Sequence, residues 1–212
     1  MTFPLLSGMA TGIAIAAPVG PIALLCLRRT LTDGRLVGFV SGLGAATADT
    51  LCGATAAFGL SALVTTVNRF HTPLQAGGGI FMVIFGLRLW RAPAKKTELS
   101  PAHARNLRAA FGSTFVLTLA NPMTILSFAG VAAALGREVI GDTPWTATQF
   151  VAGVFSGSAL WWLLWSGAAG WFRRHLGPDG LRWVNRLAGA GLAAFGAAQL
   201  ARLTWGGGGS GF

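Results

Sequence analysis

Ala17-Pro18-Val19-Gly20-Pro21-Ile22 lies inside an apolar segment that runs from about Phe3 to Leu27. Each proline lacks a backbone N–H and crowds the preceding turn, so two prolines around a glycine predict a break in the helix that this segment would otherwise form. In a lipid bilayer such a break is tolerated only where the freed backbone groups face protein or a water-lined cavity. The break therefore predicts a site, and a plain proline kink between packed helices is the alternative.

A half-helix that begins at Pro21 would present its N-terminus inside the membrane. The N–H groups of Ile22, Ala23 and Leu24 would then point back towards the break. Because a helix N-terminus carries roughly half a positive charge, this end suits an anion such as a carboxylate.

The composition is typical of an integral membrane protein. Only 10% of the 212 residues are charged and 53% are hydrophobic, whereas soluble domains carry about 25% charged residues. A net charge of +10 would indicate nucleic acid in a soluble chain, but here the basic residues lie in short loops, where membrane topology explains them better. No Lys or Arg precedes the first apolar run, so we expect that run to be retained rather than cleaved as a signal peptide.

Six apolar runs have about the 20 residues that are needed to cross a bilayer. They lie near 3–27, 36–64, 72–90, 110–135, 146–170 and 181–204. Of the 16 Lys and Arg residues, 13 fall in the first, third and fifth predicted loops, among them Arg28, Arg29 and Arg35, and 3 fall on the other side. The positive-inside rule therefore predicts that the odd-numbered loops are cytoplasmic and that both termini lie outside.

The longest loop divides the chain into two halves of three helices. We predict a first half at 1–92, a cytoplasmic loop at 93–108, a second half at 109–205 and a flexible glycine-rich tail at 206–212. Because each half has an odd number of helices, the halves would insert with opposite topology, as an inverted repeat. The predicted fold is thus an all-α membrane protein of six transmembrane helices in two inverted three-helix repeats.

The second half also opens with an interrupted helix, at Asn121-Pro122 in the fourth span. Helices 1 and 4 are therefore both predicted to be broken, and paired interruptions point to a substrate site near the midplane. Two unrelated prolines are the alternative. Asn121 could contact a ligand, or it could cap the second half-helix by accepting from the N–H of Met123 or Thr124.

Asp49 is the only acidic residue well inside a predicted span. A charged carboxylate at mid-bilayer costs roughly 2.5–3.5 kcal/mol, so we expect it to face a cavity or a partner. Three roles are open: binding a substrate ammonium group, carrying a proton, and forming a structural hydrogen bond to another helix. Together with the N–H groups at the first break, Asp49 would recognise both ends of an amino acid.

Small residues recur at the four-residue spacing that lets helices approach closely, for example Gly42 with Ala46 and Gly153 with Gly157. Such faces would serve either one bundle or a homodimer. The tryptophans inside the fifth span, Trp161, Trp162 and Trp165, are interpreted as packing or lipid-facing residues.

The remaining residues give little support for enzyme chemistry. His71, His103 and His175 are predicted in separate loops without metal-ligand spacing, and Cys26 and Cys52 are predicted to pack as small apolar residues. We therefore expect no catalytic site, metal or cofactor.

Several motifs carry a resemblance to a known family. Pro18-Val19-Gly20-Pro21-Ile22 is followed by Arg28-Arg29-Thr30-Leu31, Gly34 and Gly42-Leu43-Gly44-Ala45-Ala46-Thr47-Ala48-Asp49. These motifs, with Asn121-Pro122 and Arg182-Trp183-Val184-Asn185, resemble the lysine-exporter (LysE/RhtB) family of bacterial amino-acid exporters. The resemblance implies proton-driven efflux of an amino acid or related metabolite across the bacterial inner membrane. Members handle basic, neutral and branched amino acids, and a single intramembrane acid favours a neutral substrate here.

The predicted substrate site consists of Pro18, Gly20, Pro21, Ile22, Asp49, Asn121, Pro122 and Thr124. Asp49 is also the predicted proton carrier. Two alternative functions remain, a transmembrane thiol–disulfide conduit that uses Cys26 and Cys52 and a heavy-metal cation exporter. The absence of a Cys-X-X-Cys motif and of His-rich or Cys-rich tracts weakens both.

Overall fold

The computed structural model describes residues 3–18, 20–58, 61–91, 103–121, 124, 125, 127, 128, 130, 131, 143–172 and 178–206. Over these residues the chain is helical apart from short connections and contains no strand, as predicted. The helices are α1 (Pro4–Ala16), α2 (Pro21–Asp33), α3 (Arg35–Phe58), α4 (Ser61–Trp90), α5 (His103–Leu119), α6 (Pro144–Phe172) and α7 (Pro178–Gly206). Between α5 and α6, the described residues from 124 to 131 are also helical.

The predicted break in the first apolar segment is confirmed. Helix α1 ends at Ala16, α2 begins at Pro21, and the two helices are bent by 82° relative to each other. The N–H of Ala17 still donates to the Ile13 carbonyl at 2.8 Å, after which the chain leaves the helix. Pro21 opens α2, where its missing N–H removes no helical hydrogen bond.

Helix α2 continues past Leu27, so the prediction that Arg28 and Arg29 lie in a loop is wrong. Both belong to α2, and Gly34 alone separates α2 from α3. Gly34 has φ 106°, a left-handed conformation that glycine adopts without a steric penalty. Hydropathy falls at the arginines, but the helix does not end there, because the Arg29 guanidinium finds acceptors inside the bundle.

Two other predicted boundaries also move. Helix α4 begins at Ser61 rather than near residue 72 and carries Pro73 inside it, and α5 begins at His103, within the predicted loop 93–108. His71 therefore lies in α4 and His103 opens α5, so the prediction of loop positions for these two histidines is wrong. His175 lies outside the described residues.

Length and composition identify some of the predicted spans. Among the described residues, α3 and the segment Pro144–Trp171 of α6 are each long and apolar enough to cross a membrane. Helices α1 and α2 together would add a third span if the bent pair is one crossing. By this criterion the described part of the chain has two or three candidate spans.

Helix α3 packs against both α5 and α6, while α1 packs along α6 and α4 along α7. Helix α2 contacts α3, α6 and α7. The predicted close packing through small residues is confirmed, because a Cβ at Gly42 would overlap Trp162, and a Cβ at Gly153 or Gly157 would overlap the backbone of α1.

Cys26 and Cys52 are free and buried, in two different apolar clusters. Cys26 packs in a cluster that includes Trp162, whereas Cys52 belongs to one that includes Phe128. The prediction that both pack as small apolar residues is confirmed.

Candidate functional site

A cavity of about 230 Å³ lies where the two broken segments meet α3, α6 and α7. Seven of the eight predicted site residues line it, namely Pro18, Gly20, Pro21, Ile22, Asp49, Asn121 and Thr124. Pro122 lies outside the described residues. Ligand pockets for drug-sized molecules usually measure roughly 300–1,000 Å³, so this cavity suits a small molecule.

The N-terminus of α2 forms one wall of the cavity. Gly20 is the N-cap residue and has extended backbone angles, and no side chain caps the helix. The N–H of Leu24 donates to the Gly20 carbonyl at 3.1 Å, so the expectation that Leu24 offers a free donor is wrong. The first-turn donors without an acceptor inside the helix are those of Ile22 and Ala23, both of which line the cavity.

Gly20 needs no special backbone conformation, since its φ is −114°. A Cβ added there would meet nothing within 4 Å. The absence of a side chain at Gly20 therefore leaves room in the cavity.

Asp49 lies on α3, is only 3% exposed and also lines the cavity. Its Oδ2 accepts a hydrogen bond of 2.8 Å from Ser158 Oγ on α6. Among the described residues the one ion pair joins Arg182 to Asp179, so Asp49 has no cationic partner within this part of the chain. A buried carboxylate in this setting can hold a proton or attract a cationic group of a ligand.

The second break forms another part of the wall. Helix α5 ends at Leu119, the N–H of Asn121 donates to the Thr118 carbonyl at 3.2 Å, and the N–H of Thr124 donates to the main-chain oxygen of Asn121 at 3.1 Å. The acceptor for the Thr124 N–H is therefore the main-chain oxygen of Asn121. Met123 lies outside the described residues. Thr118 and Ser127 add hydroxyl groups to the lining.

Apolar side chains complete the cavity. Trp162 is buried and lines the cavity. Ile15 and Phe195, which are half-buried, also line it. Trp162 packs in the core as predicted, but it also borders the cavity, a position that the sequence did not reveal. Trp161 and Trp165 stack on each other with ring centroids 6.0 Å apart and pack beside the same core cluster.

Sequence reasoning missed Ser158 and the interior role of Arg29. A serine in an apolar helix is an ordinary feature, so only a repeat alignment would have found Ser158. Asp49 and Ser158 are 109 residues apart, as are Gly44 and Gly153 in the same two helices. No signal in the sequence shows that Arg29 is buried, because an Arg-Arg pair at the end of an apolar run looks like a loop.

The described residues contain no group of three or more His, Cys, Asp or Glu side chains that could hold a metal ion. The two thiols occupy separate apolar clusters, away from each other. The geometry that the described residues present is thus that of a small polar-and-apolar cavity between broken helices.

Comparison with known proteins agrees with this geometry. The family model described as "LysE type translocator" matches residues 13–202, a range that includes both breaks and Asp49. This chain belongs to the LysE-type translocator family. It is therefore a membrane transport protein of a translocator family, which is not a family of enzymes, and it works on a small-molecule substrate.

This LysE-type translocator is similar to three named proteins. It is 27% identical over 193 residues to "Putative amino acid efflux protein YcgF" of Bacillus subtilis (strain 168), covering 90% of this chain and 92% of that protein. It is 28% identical over 202 residues to "Chemotactic transduction protein ChpE" of Pseudomonas aeruginosa, covering 92% and 96%. It is 26% identical over 146 residues to "Uncharacterized membrane protein YahN" of Escherichia coli (strain K12), covering 67% and 64%. No solved structure matches the chain.

Proposed function

We propose that this translocator is a secondary exporter that moves amino acids or related small metabolites out of the cytoplasm, driven by the proton gradient. The observation that carries the proposal is the cavity that is lined both by the N-terminus of α2 and by Asp49 of α3. The name of the Bacillus subtilis relative, "Putative amino acid efflux protein YcgF", supports the same substrate class.

The proposed substrate contacts follow from the chemistry of the walls. The N–H groups of Ile22 and Ala23 at the α2 N-terminus receive the substrate carboxylate, because that end of the helix is positively polarised. Asp49 binds the substrate ammonium group, or it releases that group when it takes up a proton. Asn121 and Thr124 orient the substrate from the second break, with Pro18, Gly20, Pro21 and Pro122 shaping the backbone around it.

The substrate that fits best is a small neutral amino acid. Among the described residues that line the cavity, Asp49 supplies the one carboxylate, and a dibasic substrate would bring a second positive charge. The walls facing the remaining space include Ile15, Trp162 and Phe195, which are suited to an uncharged side chain.

The helix packing supports an inverted repeat. If α1 with α2, α3 and α4 form the first half, the second consists of α5 with the helical residues after it, α6 and α7. In such a repeat α1 corresponds to α5, α3 to α6 and α4 to α7. The α1–α6 contact then corresponds to the α5–α3 contact, and both contacts are extensive. The α3–α6 and α4–α7 contacts each correspond to themselves, as expected for helices that meet on a two-fold axis.

Individual residues follow the same exchange. A Cβ at Gly44 would overlap the Phe111 carbonyl of α5, and a Cβ at Gly153 would overlap the Leu5 carbonyl of α1. Asp49 and Ser158 follow these two glycines by the same number of residues and bond to each other. We therefore infer six spans in two inverted halves, 1–92 and 109–205. The connection between them is 93–108, which includes the start of α5, and the two halves rock to give alternating access to the cavity.

The proposed location is the bacterial inner membrane, with both termini outside the cytoplasm. The basic residues of the connection 93–108 and of the segment 173–177 support this orientation. Arg28 and Arg29 are helical, but they lie in the second half of α2, beyond the break. They are therefore still on the cytoplasmic side in this orientation.

Efflux from loaded cells tests the proposal. Cells with a panel of labelled amino acids are compared for wild type, Asp49→Asn and empty vector at matched expression, with and without a protonophore. We expect one or a few amino acids to leave faster with wild type, the protonophore to abolish that difference, and Asp49→Asn to reduce it to the vector level. Asp179→Asn is the matched control, because Asp179 is exposed and should leave efflux unchanged.

Each result decides a separate part of the proposal. Efflux that survives the protonophore would contradict proton coupling, and efflux that survives Asp49→Asn would contradict the role of Asp49. If no amino acid responds, the substrate class is wrong, and metal cations are the next panel.

A further inference from the structure

Arg29 is a buried cation that the proposed site does not use. It lies on α2, is 7% exposed and donates from Nη1 to Ser41 Oγ, Thr114 Oγ1 and the Ala110 carbonyl, each at 2.9 Å. Its Nη2 donates to Ser113 Oγ at 2.8 Å. Three of these four acceptors belong to α5, so the guanidinium fastens α2 to α5.

The neighbouring arginine makes a second connection. Arg28 Nε donates to Asn185 Oδ1 on α7 at 3.1 Å. Consecutive residues on a helix point about 100° apart, so Arg28 reaches α7, whereas Arg29 reaches α5 and, through Ser41, α3. Both α5 and α7 belong to the proposed second half, whereas α2 belongs to the first. The two arginines therefore bind one half of the molecule to the other.

These contacts lie on one side of the cavity. Arg29 is eight positions after Pro21, or about 12 Å along the helix from the end that lines the cavity. In the orientation proposed above this is the cytoplasmic side, from which an exporter must admit its substrate. We propose that Arg28 and Arg29 are positioning residues that hold a cytoplasmic gate closed, and that their bonds to α5 and α7 break when the cavity opens to the cytoplasm. This inference rests on the proposed export function and orientation.

The chemistry of the acceptors suits a contact that must open and close. All four acceptors of Arg29 are neutral hydroxyl or carbonyl oxygens, and the carboxylate that acts on Arg28 and Arg29 electrostatically is that of Asp33, at the end of the same helix. Hydroxyls and carbonyls can be exchanged for water when the gate opens, since water offers the same kind of acceptor. The planar guanidinium, which has five donors, can span several acceptors at once, whereas a lysine ammonium cannot follow the same geometry.

Cys26 provides a native reporter of this gate. It lies three residues before Arg29 on α2 and is fully buried, with 0% exposure. Its labelling rate by a thiol reagent tracks the fraction of molecules in which this region is open. With Cys52→Ala in the background, Cys26 is the one thiol left in the chain.

The test labels Cys26 with a charged, membrane-impermeant methanethiosulfonate in inside-out and right-side-out vesicles. Arg29→Gln should label at least about tenfold faster than the parent in inside-out vesicles, because several hydrogen bonds to a charged group are lost. Labelling from the outer side should not change. Arg28→Gln should act in the same direction with a smaller effect, and Arg29→Lys should resemble Arg29→Gln.

Two controls separate a gate from loosened packing. Arg88→Gln removes an exposed guanidinium on α4, and Gly79→Ala crowds Leu200 in the α4–α7 contact, outside the cluster in which Cys26 packs, so neither should change Cys26 labelling. Should Arg29→Gln fail to fold, Ser113→Ala with Thr114→Val removes the hydroxyl acceptors on α5 while keeping the cation.

The proposal is overturned if the folded variants label at the parent rate, or if labelling rises equally from both sides. No substrate is needed for this measurement. If the amino acid panel shows no efflux, the labelling can still detect the gate. If efflux is normal and labelling of the arginine variants is unchanged, the gate is rejected and the proposed function is not.

Discussion

At the scale of single residues, the hydrogen bond from Ser158 to Asp49 is the contact that joins the two central helices inside the site. A buried carboxylate needs donors, because its interaction with water is lost. Ser158 is fully buried and supplies one of them from the opposite half of the proposed repeat. The bond therefore couples the orientation of Asp49 to the relative position of α3 and α6.

Replacing Ser158 tests this coupling. We expect Ser158→Ala to lower the efflux rate by about tenfold, since a hydrogen bond to a charged group is worth roughly 1.5–3 kcal/mol. Ser158→Thr keeps the hydroxyl and should retain more activity. Initial efflux rates compare these single variants. Because Asp49→Asn is expected to abolish efflux, the double-mutant cycle with Asp49→Asn is measured on the thermal midpoint in detergent, where Ser158→Ala should add little in the Asp49→Asn background.

Ser156→Ala is the matched control for this cycle. Ser156 lies on the same helix, is exposed and donates to its own backbone at Ala152 O. If Ser156→Ala and Ser158→Ala reduce efflux equally, the bond to Asp49 has no special role.

At the scale of helices, α1 and α6 are held together by glycines that let their backbones touch. A Cβ at Gly8 would overlap the Phe150 carbonyl, a Cβ at Gly12 the Val154 carbonyl, and a Cβ at Gly157 the Met9 carbonyl. Because backbone atoms cannot swing aside as a flexible side chain can, any larger residue must push the helices apart.

Gly157→Ala should therefore destabilise the protein by about 1–3 kcal/mol, the usual cost of overpacking a tight contact. The measurement is the thermal midpoint of the protein in detergent, followed by size-exclusion chromatography. Gly167→Ala on the same helix is the control, since a Cβ there would meet nothing within 4 Å. A similar fall for both variants would mean that helix propensity or detergent effects, and not the α1 contact, determine the result.

At the scale of the whole molecule, the proposed inverted halves require the ends of the chain and its central loop to lie on opposite sides of the membrane. We expect a C-terminal alkaline phosphatase fusion to be active and a fluorescent-protein fusion at the same point to be dark. Fusions after Lys96, in the loop 93–108, should give the reverse pattern. If the reporter fusions at the C-terminus and after Lys96 gave the same pattern, an odd number of spans in the second half would be contradicted.

The sequence by itself determined the class of the protein, the break at Pro18 to Pro21 and seven of the fifteen described residues that line the cavity. Prolines and intramembrane charges are local features with local physical costs, so Asp49, Gly20 and Asn121 could be identified without knowing their neighbours. The resemblance to the LysE family rested on the same motifs, and the family match confirmed it.

Only the tertiary structure decided which distant groups satisfy one another. Ser158 became the donor to Asp49, and Arg29 became an interior cation rather than a loop residue, because partners 109 and 85 residues away complete their hydrogen bonds. Hydropathy measures the cost of burying a charge but contains no term for acceptors brought from other helices. The sequence therefore located the site, and the packing of α3, α5 and α6 determined how its charges are held.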